Sequence, residues 1–208
     1  VGKTTISLGI MQALTKRNMK VQPYKVGPDY IDPSYHTFIT GRHSRNLDSY
    51  MLDDEKIKYV FNDASKDADI SVVEGVMGLY DGIGIDLDNC TSSYTSKLLK
   101  APVILVINGK AMAASSAAMV LGYKELDKNV DIKGVIVNNV KTKSHYEIIK
   151  KAIETYCNIE VLGYFPPNNE FSLESRHLGL VPSVEIESLK TKFSNLADEI
   201  EKYIDIDR

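Results

Sequence analysis

VGKTTISLGI, residues 1–10, raises the question on which the fold turns. Gly2-Lys3-Thr4-Thr5 has the make-up of the closing half of a phosphate-binding loop. In such a loop backbone N–H groups cradle the phosphates, a lysine neutralises the terminal ones, and the next hydroxyl ligates Mg²⁺. A glycine and a lysine opening an ordinary helix look the same, so the tetrapeptide decides nothing alone. The run that follows, TTISLGIMQALTKRN (4–18), is amphipathic and supplies a helix whose N-terminus would face the phosphate. On this reading Gly2, Lys3, Thr4 and Thr5 hold the nucleotide, and Thr4 is the hydroxyl ligand of the metal. The glycine-rich first half of the loop is absent from the sequence, so a truncated first strand is expected.

Beyond the opening, short β-branched runs alternate with longer amphipathic segments. The strand candidates are KVQPYKV (20–26), DISVVEG (69–75), APVILVING (101–109), IKGVIVNNV (132–140) and IEVLGYF (159–165). Several are nearly continuous in Val, Ile and Leu, as strands buried on both faces are. Helices are expected over 4–18, 53–67, 92–100, 111–126, 144–156 and 186–203. This alternation predicts an α/β fold with a mostly parallel, doubly wound sheet, of the phosphate-loop NTPase kind. One domain is expected over 1–190, followed over 191–208 by a terminal helix leading to a linker.

Composition narrows the function by exclusion. Of 208 residues, 43% are hydrophobic and 25% charged, ordinary for a globular protein, and the net charge of −3 gives no electrostatic case for nucleic acid or an anionic membrane. No apolar run approaches the length needed to span a bilayer. The two cysteines, Cys90 and Cys157, form neither a disulfide framework nor a metal pattern, which points to a reducing cytoplasm.

In a parallel sheet, ligands gather at the carboxyl ends of the strands. Glu74, ending the apolar run SVVE, stands where the metal-binding acids of phosphate-loop proteins stand, and a carboxylate there without a cation is costly to desolvate. Its alternative is a lysine pair at the sheet edge. The stretch VINGKAMAASS lacks the Asp of a guanine-reading motif, which favours adenine, and Asn138 in VIVNNV is the candidate to contact it, unless it caps a helix or turn. The longest irregular stretch is KVGPDYIDPSYHTFITGRHSRNLDSYML (25–52), read as a loop. It concentrates Lys25, Asp29, Asp32, His36, Arg42, His43, Arg45 and Asp48, interleaved with Tyr30, Ile31, Tyr35, Phe38 and Leu47. Such interleaving suits a segment packed on the domain with its charges turned into a cleft.

YKVGPDYIDPSYH, SRNLDSYML, VVEGVMGLYDG and RHLGLV together resemble the cobyrinate a,c-diamide synthases, hydrogenobyrinate enzymes included, along the whole chain. The likeness is to their ATP-dependent synthetase domain, similar in fold to dethiobiotin synthetase. It implies ATP- and Mg²⁺-dependent amidation of the a and c carboxylates of a corrin through acyl phosphates, with ammonia derived from glutamine. By resemblance Asp48 and Glu74, with Thr4, look like the metal ligands. Lys3 and Lys25 serve the phosphoryl group, and Asp29, Asp32 and Asp81 look like catalytic site residues. Tyr30, Ile31, Arg45, Leu79 and Tyr80 fall where the substrate would lie. A second copy of the chain is admitted as a partner.

One departure qualifies the likeness. The family carries a C-terminal glutaminase domain with a cysteine nucleophile, whereas neither Cys90 nor Cys157 sits in such a setting, so this chain is expected to lack that domain and its activity. The rival readings are amidation of another tetrapyrrole, such as nickel sirohydrochlorin or a later corrin, a dethiobiotin synthetase proper, and a partition-type regulatory ATPase. The GPDYIDP and GLYDG stretches argue against the last.

Overall fold

The computed structural model describes residues 1–168, 170–171 and 183–208, the side chains of 183–186 excepted. The RHLGLV motif (176–181) lies outside the described residues.

The order is α1 (Lys3–Lys16), β1 (Val21–Val26), α2 (Ile31–Thr40), β2 (Arg45–Leu47), α3 (Asp54–Ser65), β3 (Ile70–Glu74), α4 (Ser92–Leu99), β4 (Val103–Asn108), α5 (Ser115–Leu126), β5 (Ile132–Asn138), α6 (Lys143–Cys157), β6 (Glu160–Phe165) and α7 (Ser183–Tyr203). Among the described residues every pairing between these strands is parallel, and one isolated antiparallel bridge joins Gly163 of β6 to Ile204. Hydrogen bonding divides the strands into two sets of three, in the orders β2-β1-β3 and β4-β5-β6. One apolar cluster joins the two sets. Val21 of β1 and Ile136 of β5 meet Ile6, Leu8 and Met11 of α1 and Phe193, Leu196 and Ile200 of α7 in it.

Alternation along the strands sends neighbouring residues to opposite faces. Ile136 faces α1 and α7, while Val135 and Val137 join Leu105 and Ile107 beneath Ala117 and Val120 of α5 and Ile149 and Ile153 of α6. On the first sheet, Tyr24 and Leu47 pack on Ile57 of α3. Helices thus cover both faces, as a doubly wound sheet requires. The segment past residue 190 belongs to this core: Phe193, Leu196, Ala197 and Ile200 are all buried.

The segment 25–52 departs from its reading as a loop. It holds the ten-residue α2 and the short β2, which pairs with β1 at Tyr24↔Arg45 and Val26↔Leu47. Pro33 falls in the first turn of α2, where a missing N–H breaks no helical bond, and Gly41, at φ 68°, closes it in the left-handed conformation. Proline and glycine read as loop punctuation here delimit a helix.

Candidate functional site

Strand pairing builds the centre of the site. The parallel register of β1 and β3 sets Lys25 opposite Glu74 at the carboxyl ends of both strands. Lys25 Nζ donates to Glu74 Oε1 at 3.0 Å and to Asp32 Oδ2 at 2.5 Å, and lies 3.7 Å from Asp29 Oδ2. Thr4, in the first turn of α1, donates through Oγ1 to Glu74 Oε1 at 2.7 Å, with Asp32 Oδ2 at 3.4 Å. His36 Nε2 lies 2.7 Å from Glu74 Oε2. Asp29 is held by its own turn: its Oδ1 accepts the Ile31 N–H at 2.9 Å, and its carbonyl accepts from Asn46 Nδ2 at 2.6 Å. Two helix starts and two strand ends therefore converge on one carboxylate.

Electrostatics divides the labour among these groups. Burial raises the Glu74 carboxyl, but the His36 hydrogen bond and the Lys25 charge outweigh it and hold the group down at about 2. Asp32 is pushed up, first by burial and then by the negative charge of Glu74, against the pull of its Lys25 bond. Burial lowers the Lys25 ammonium, yet Glu74 and Asp32 more than reverse that and raise it. Two carboxylates sharing one ammonium are driven apart in this way.

The donor chemistry suits a hard divalent cation. One ammonium faces three carboxylates, a formal excess of two negative charges. Glu74, Asp32 and the Thr4 hydroxyl offer oxygen donors of the kind Mg²⁺ takes, one or two carboxylates completed by phosphate and water. Among the described residues no group of three or more His, Cys, Asp or Glu is arranged to hold a metal without such help.

The remaining predicted residues fall around this centre. Gly2 caps α1 at φ 87°, and a Cβ there would stand 2.3 Å from Asn138 Nδ2, so the bare glycine lets the end of β5 approach. Asn138 donates through that nitrogen to the Val1 carbonyl at 2.7 Å and so buttresses the backbone at the start of α1. Lys3 Nζ donates to the Met77 carbonyl at 2.6 Å, and Met77 has a positive φ of 48°. Thr5 lies half-buried in the first turn of α1. Asp48 is buried at the end of β2. Its Oδ1 accepts the Tyr50 N–H at 3.0 Å and its Oδ2 finds no partner, but it makes no hydrogen bond to the Lys25–Glu74 group. Asp81 is exposed and its Oδ2 accepts the Gly78 N–H at 2.9 Å, pinning the turn after β3. Leu79 packs toward α5, and Tyr80 stacks on Tyr123 and donates to the Tyr123 carbonyl at 2.6 Å. These two anchor the 75–91 segment to α5. Tyr30 is exposed, Ile31 packs against the α1–α7 cluster, and Arg45 is exposed at the sheet edge.

Sequence reasoning gave no role to two groups now seen in the site. His36 was visible, and its spacing of four from Asp32 signals a shared helix face. The Met77 carbonyl is backbone and leaves no signal in a sequence.

The profile described as CbiA: CobQ/CobB/MinD/ParA nucleotide binding domain matches residues 1–181. The chain belongs to this nucleotide-binding family. Its phosphate-loop NTPase fold agrees with the parallel sheet and with the helix that starts at Lys3. The chain is 52% identical over 208 residues to a protein of Listeria monocytogenes (strain F2365) named cobyrinate a,c-diamide synthase, and 51% identical over 209 residues to one so named from Streptococcus sanguinis. Each alignment takes in 100% of this chain and 46% of the relative, so the chain spans about half the length of the curated relatives it matches. Among solved structures, chloroplast FtsY from Physcomitrella patens is similar in fold, with a TM-score of 0.55 at 15% identity, over 93% of this chain and 62% of that one. No helix among the described residues is long and apolar enough to cross a membrane.

Proposed function

We propose that this chain is the ATP-dependent synthetase part of an enzyme that amidates the a and c carboxylates of cobyrinate. The observation that carries the reading is the Lys25–Glu74–Asp32–Thr4 group, built where the end of β1, the end of β3 and the start of α1 converge in a nucleotide-binding family. The names of the relatives point to the same substrate. Bound Mg²⁺·ATP would supply an activated phosphoryl group and the charge to neutralise it, held by Thr4 and Glu74 with Asp32, and on the nucleotide side by Gly2, Lys3 and Thr5.

A carboxylate is a poor acyl donor because its oxygen leaves badly. In the proposed reaction a substrate carboxylate oxygen attacks the γ-phosphorus, the bond to the bridging oxygen breaks, and ADP departs. Ammonia then attacks the acyl carbon, phosphate leaves with the C–O electron pair, and the nitrogen gives up one proton. Two anions must meet in line, so positioning and neutralisation carry the rate. Lys3 and Lys25 are the cations at hand for that. Asp32, which accepts from Lys25 Nζ at 2.5 Å, is suited to hold that ammonium in place. Glu74, held ionised, is suited to remain a ligand. The ammonia is drawn from glutamine by a further domain of the longer protein.

The test uses the full-length protein with ATP, Mg²⁺, a high concentration of ammonia and cobyrinate, followed by mass spectrometry. Two successive amidations with two ADP formed are expected. ATP hydrolysis that leaves the corrin unchanged would sink the reading in favour of a regulatory ATPase. Preferential amidation of nickel sirohydrochlorin would reassign the substrate.

A further inference from the structure

The reaction above leaves one buried titratable side chain of the site without a task. His36 is fully buried, and both of its ring nitrogens are engaged: Nε2 with Glu74 Oε2 at 2.7 Å, and Nδ1 with Ser44 Oγ at 3.2 Å. A carboxylate only accepts, so Nε2 carries the proton and donates. Ser44 is fixed in turn, since its N–H donates to Thr37 Oγ1 at 3.0 Å and the Thr37 hydroxyl donates to the Pro33 carbonyl at 2.8 Å. The left-handed Gly41 that ends α2 brings Ser44 back over the ring.

α2 uses two positions, four residues apart and so on one helix face, to close a ring around the strand ends. Asp32 takes Lys25, Lys25 takes Glu74, and Glu74 takes His36. The two Glu74 oxygens then have separate partners. Oε1 faces Thr4 and Lys25, whereas Oε2 accepts a hydrogen bond from His36. Without a donor on Oε2, the terminal torsion of a glutamate is soft and nearly two-fold, and Lys25 can draw the carboxylate toward itself.

We propose that His36 is a positioning residue: it occupies Oε2 of Glu74 so that Oε1 stays aimed at Thr4 and the start of α1, and Ser44 fixes the ring that does so. This rests on the synthetase reading only in taking Glu74 as a ligand of the metal–nucleotide complex. A histidine that merely fills the core would contribute volume, and any shape-matched apolar ring would replace it. A positioning histidine must keep its donor.

The experiment compares His36→Phe, His36→Gln and Ser44→Ala in the full-length protein. Two readouts are taken: amidation kinetics, and the thermal shift given by ADP as Mg²⁺ is titrated. For His36→Phe, kcat falls about 10- to 100-fold and the Mg²⁺ needed for half-maximal thermal shift rises by a similar factor, the range for losing a group that orients a metal ligand. KM for the corrin stays within about 2-fold of wild type. His36→Gln, whose amide N–H can donate to Oε2, recovers much of both losses, and Ser44→Ala gives a smaller effect in the same direction. A folded His36→Phe protein with unchanged Mg²⁺ requirement and rate overturns the proposal, as do Gln and Phe variants equally impaired in both readouts. If the wild type shows the Mg²⁺-dependent shift yet amidates nothing, the proposed function fails, and the thermal-shift series alone decides the role of His36.

Discussion

Glu74→Gln separates chemistry from architecture, because it removes a charge while keeping the side-chain shape. The amide oxygen can take the place of Oε1 and still accept from Thr4 and Lys25, now at 2.7 and 3.0 Å. The amide nitrogen then faces His36, which can answer by moving its proton to Nδ1 and donating to Ser44, at 3.2 Å in the native protein. Every polar atom keeps a partner, so no unpaired group is buried. The loss is the charge assistance on three hydrogen bonds, worth about 1 kcal/mol each. It is partly offset because a neutral amide costs less to desolvate than a carboxylate buried to 2% exposure. A net destabilisation of about 1–3 kcal/mol follows, within the stability of a domain of this size, and melting falls by roughly 3–10 °C. Glu74→Ala leaves Lys25 short of a partner and opens a cavity, so about 3–5 kcal/mol is expected there. Catalysis responds differently: losing the ligand charge lowers kcat about 100- to 1,000-fold. Calorimetry and steady-state ADP release on the same preparations give both numbers. A Gln variant that melts a few degrees lower but turns over at a near-normal rate removes Glu74 from the chemistry. One that fails to fold refutes the hydrogen-bond accounting.

Two further predictions test the frame that carries the site. A Cβ at Gly163, where φ is 153°, would lie 2.2 Å from the Tyr203 carbonyl and 2.6 Å from Ile204 Cα, both backbone atoms with nowhere to yield. Gly163→Ala should lift the chain after α7 off β6, breaking the Asp205 N–H bond to the Leu162 carbonyl at 2.8 Å and costing about 2–4 kcal/mol in calorimetry; unchanged melting and unchanged amide exchange at Asp205 refute it. Burial, and then the charges of Glu147 and Glu154, push the Tyr146 phenol up to about 12. Its folded value lies above its unfolded value, so the stability it confers is whole below pH ~10 and drains away as pH climbs toward ~12. Tyr146→Phe should flatten the loss of melting temperature in that alkaline window, and a parallel decline in both proteins removes Tyr146 as its source.

Much of the scaffold was legible because buried parallel strands declare themselves. VILVIN and IKGVIVN are nearly unbroken β-branched runs, and the observed β4 and β5 fall inside the expected segments. Helix ends were harder. A helix was expected from 111, yet α5 starts at Ser115, because Ala111 has a φ of 56° and Met112 bonds back to Gly109 in a turn. β2 is three residues long and exists through its pairing with β1, a contact 21 residues distant that no local pattern announces. In the site, Lys25 and Glu74 could be read as strand ends, but their adjacency is a fact of register, set by the whole length of β1 against β3.

α2 shows why a charged helix at a site escapes a sequence reading. Its apolar positions, Ile31, Tyr35, Phe38 and Ile39, recur at helical spacing and pack on the α1–α7 cluster. The flank beside that stripe holds Asp32 and His36, which look like solvated charge until the strand ends beneath them are known. A helix whose polar face meets water gains little from that face. Here the polar face meets Lys25 and Glu74, two groups exposed by 4% and 2%, whose desolvation has to be offset by partners. The helix is therefore required by the ionic centre as well as by the core: without Asp32 and His36, the strand ends would bury one ammonium and one carboxylate with half their hydrogen bonds missing. Fold and site are one constraint at this point. The residues that read least like a helix are there because the chemistry beneath them needs donors and acceptors at a spacing of four.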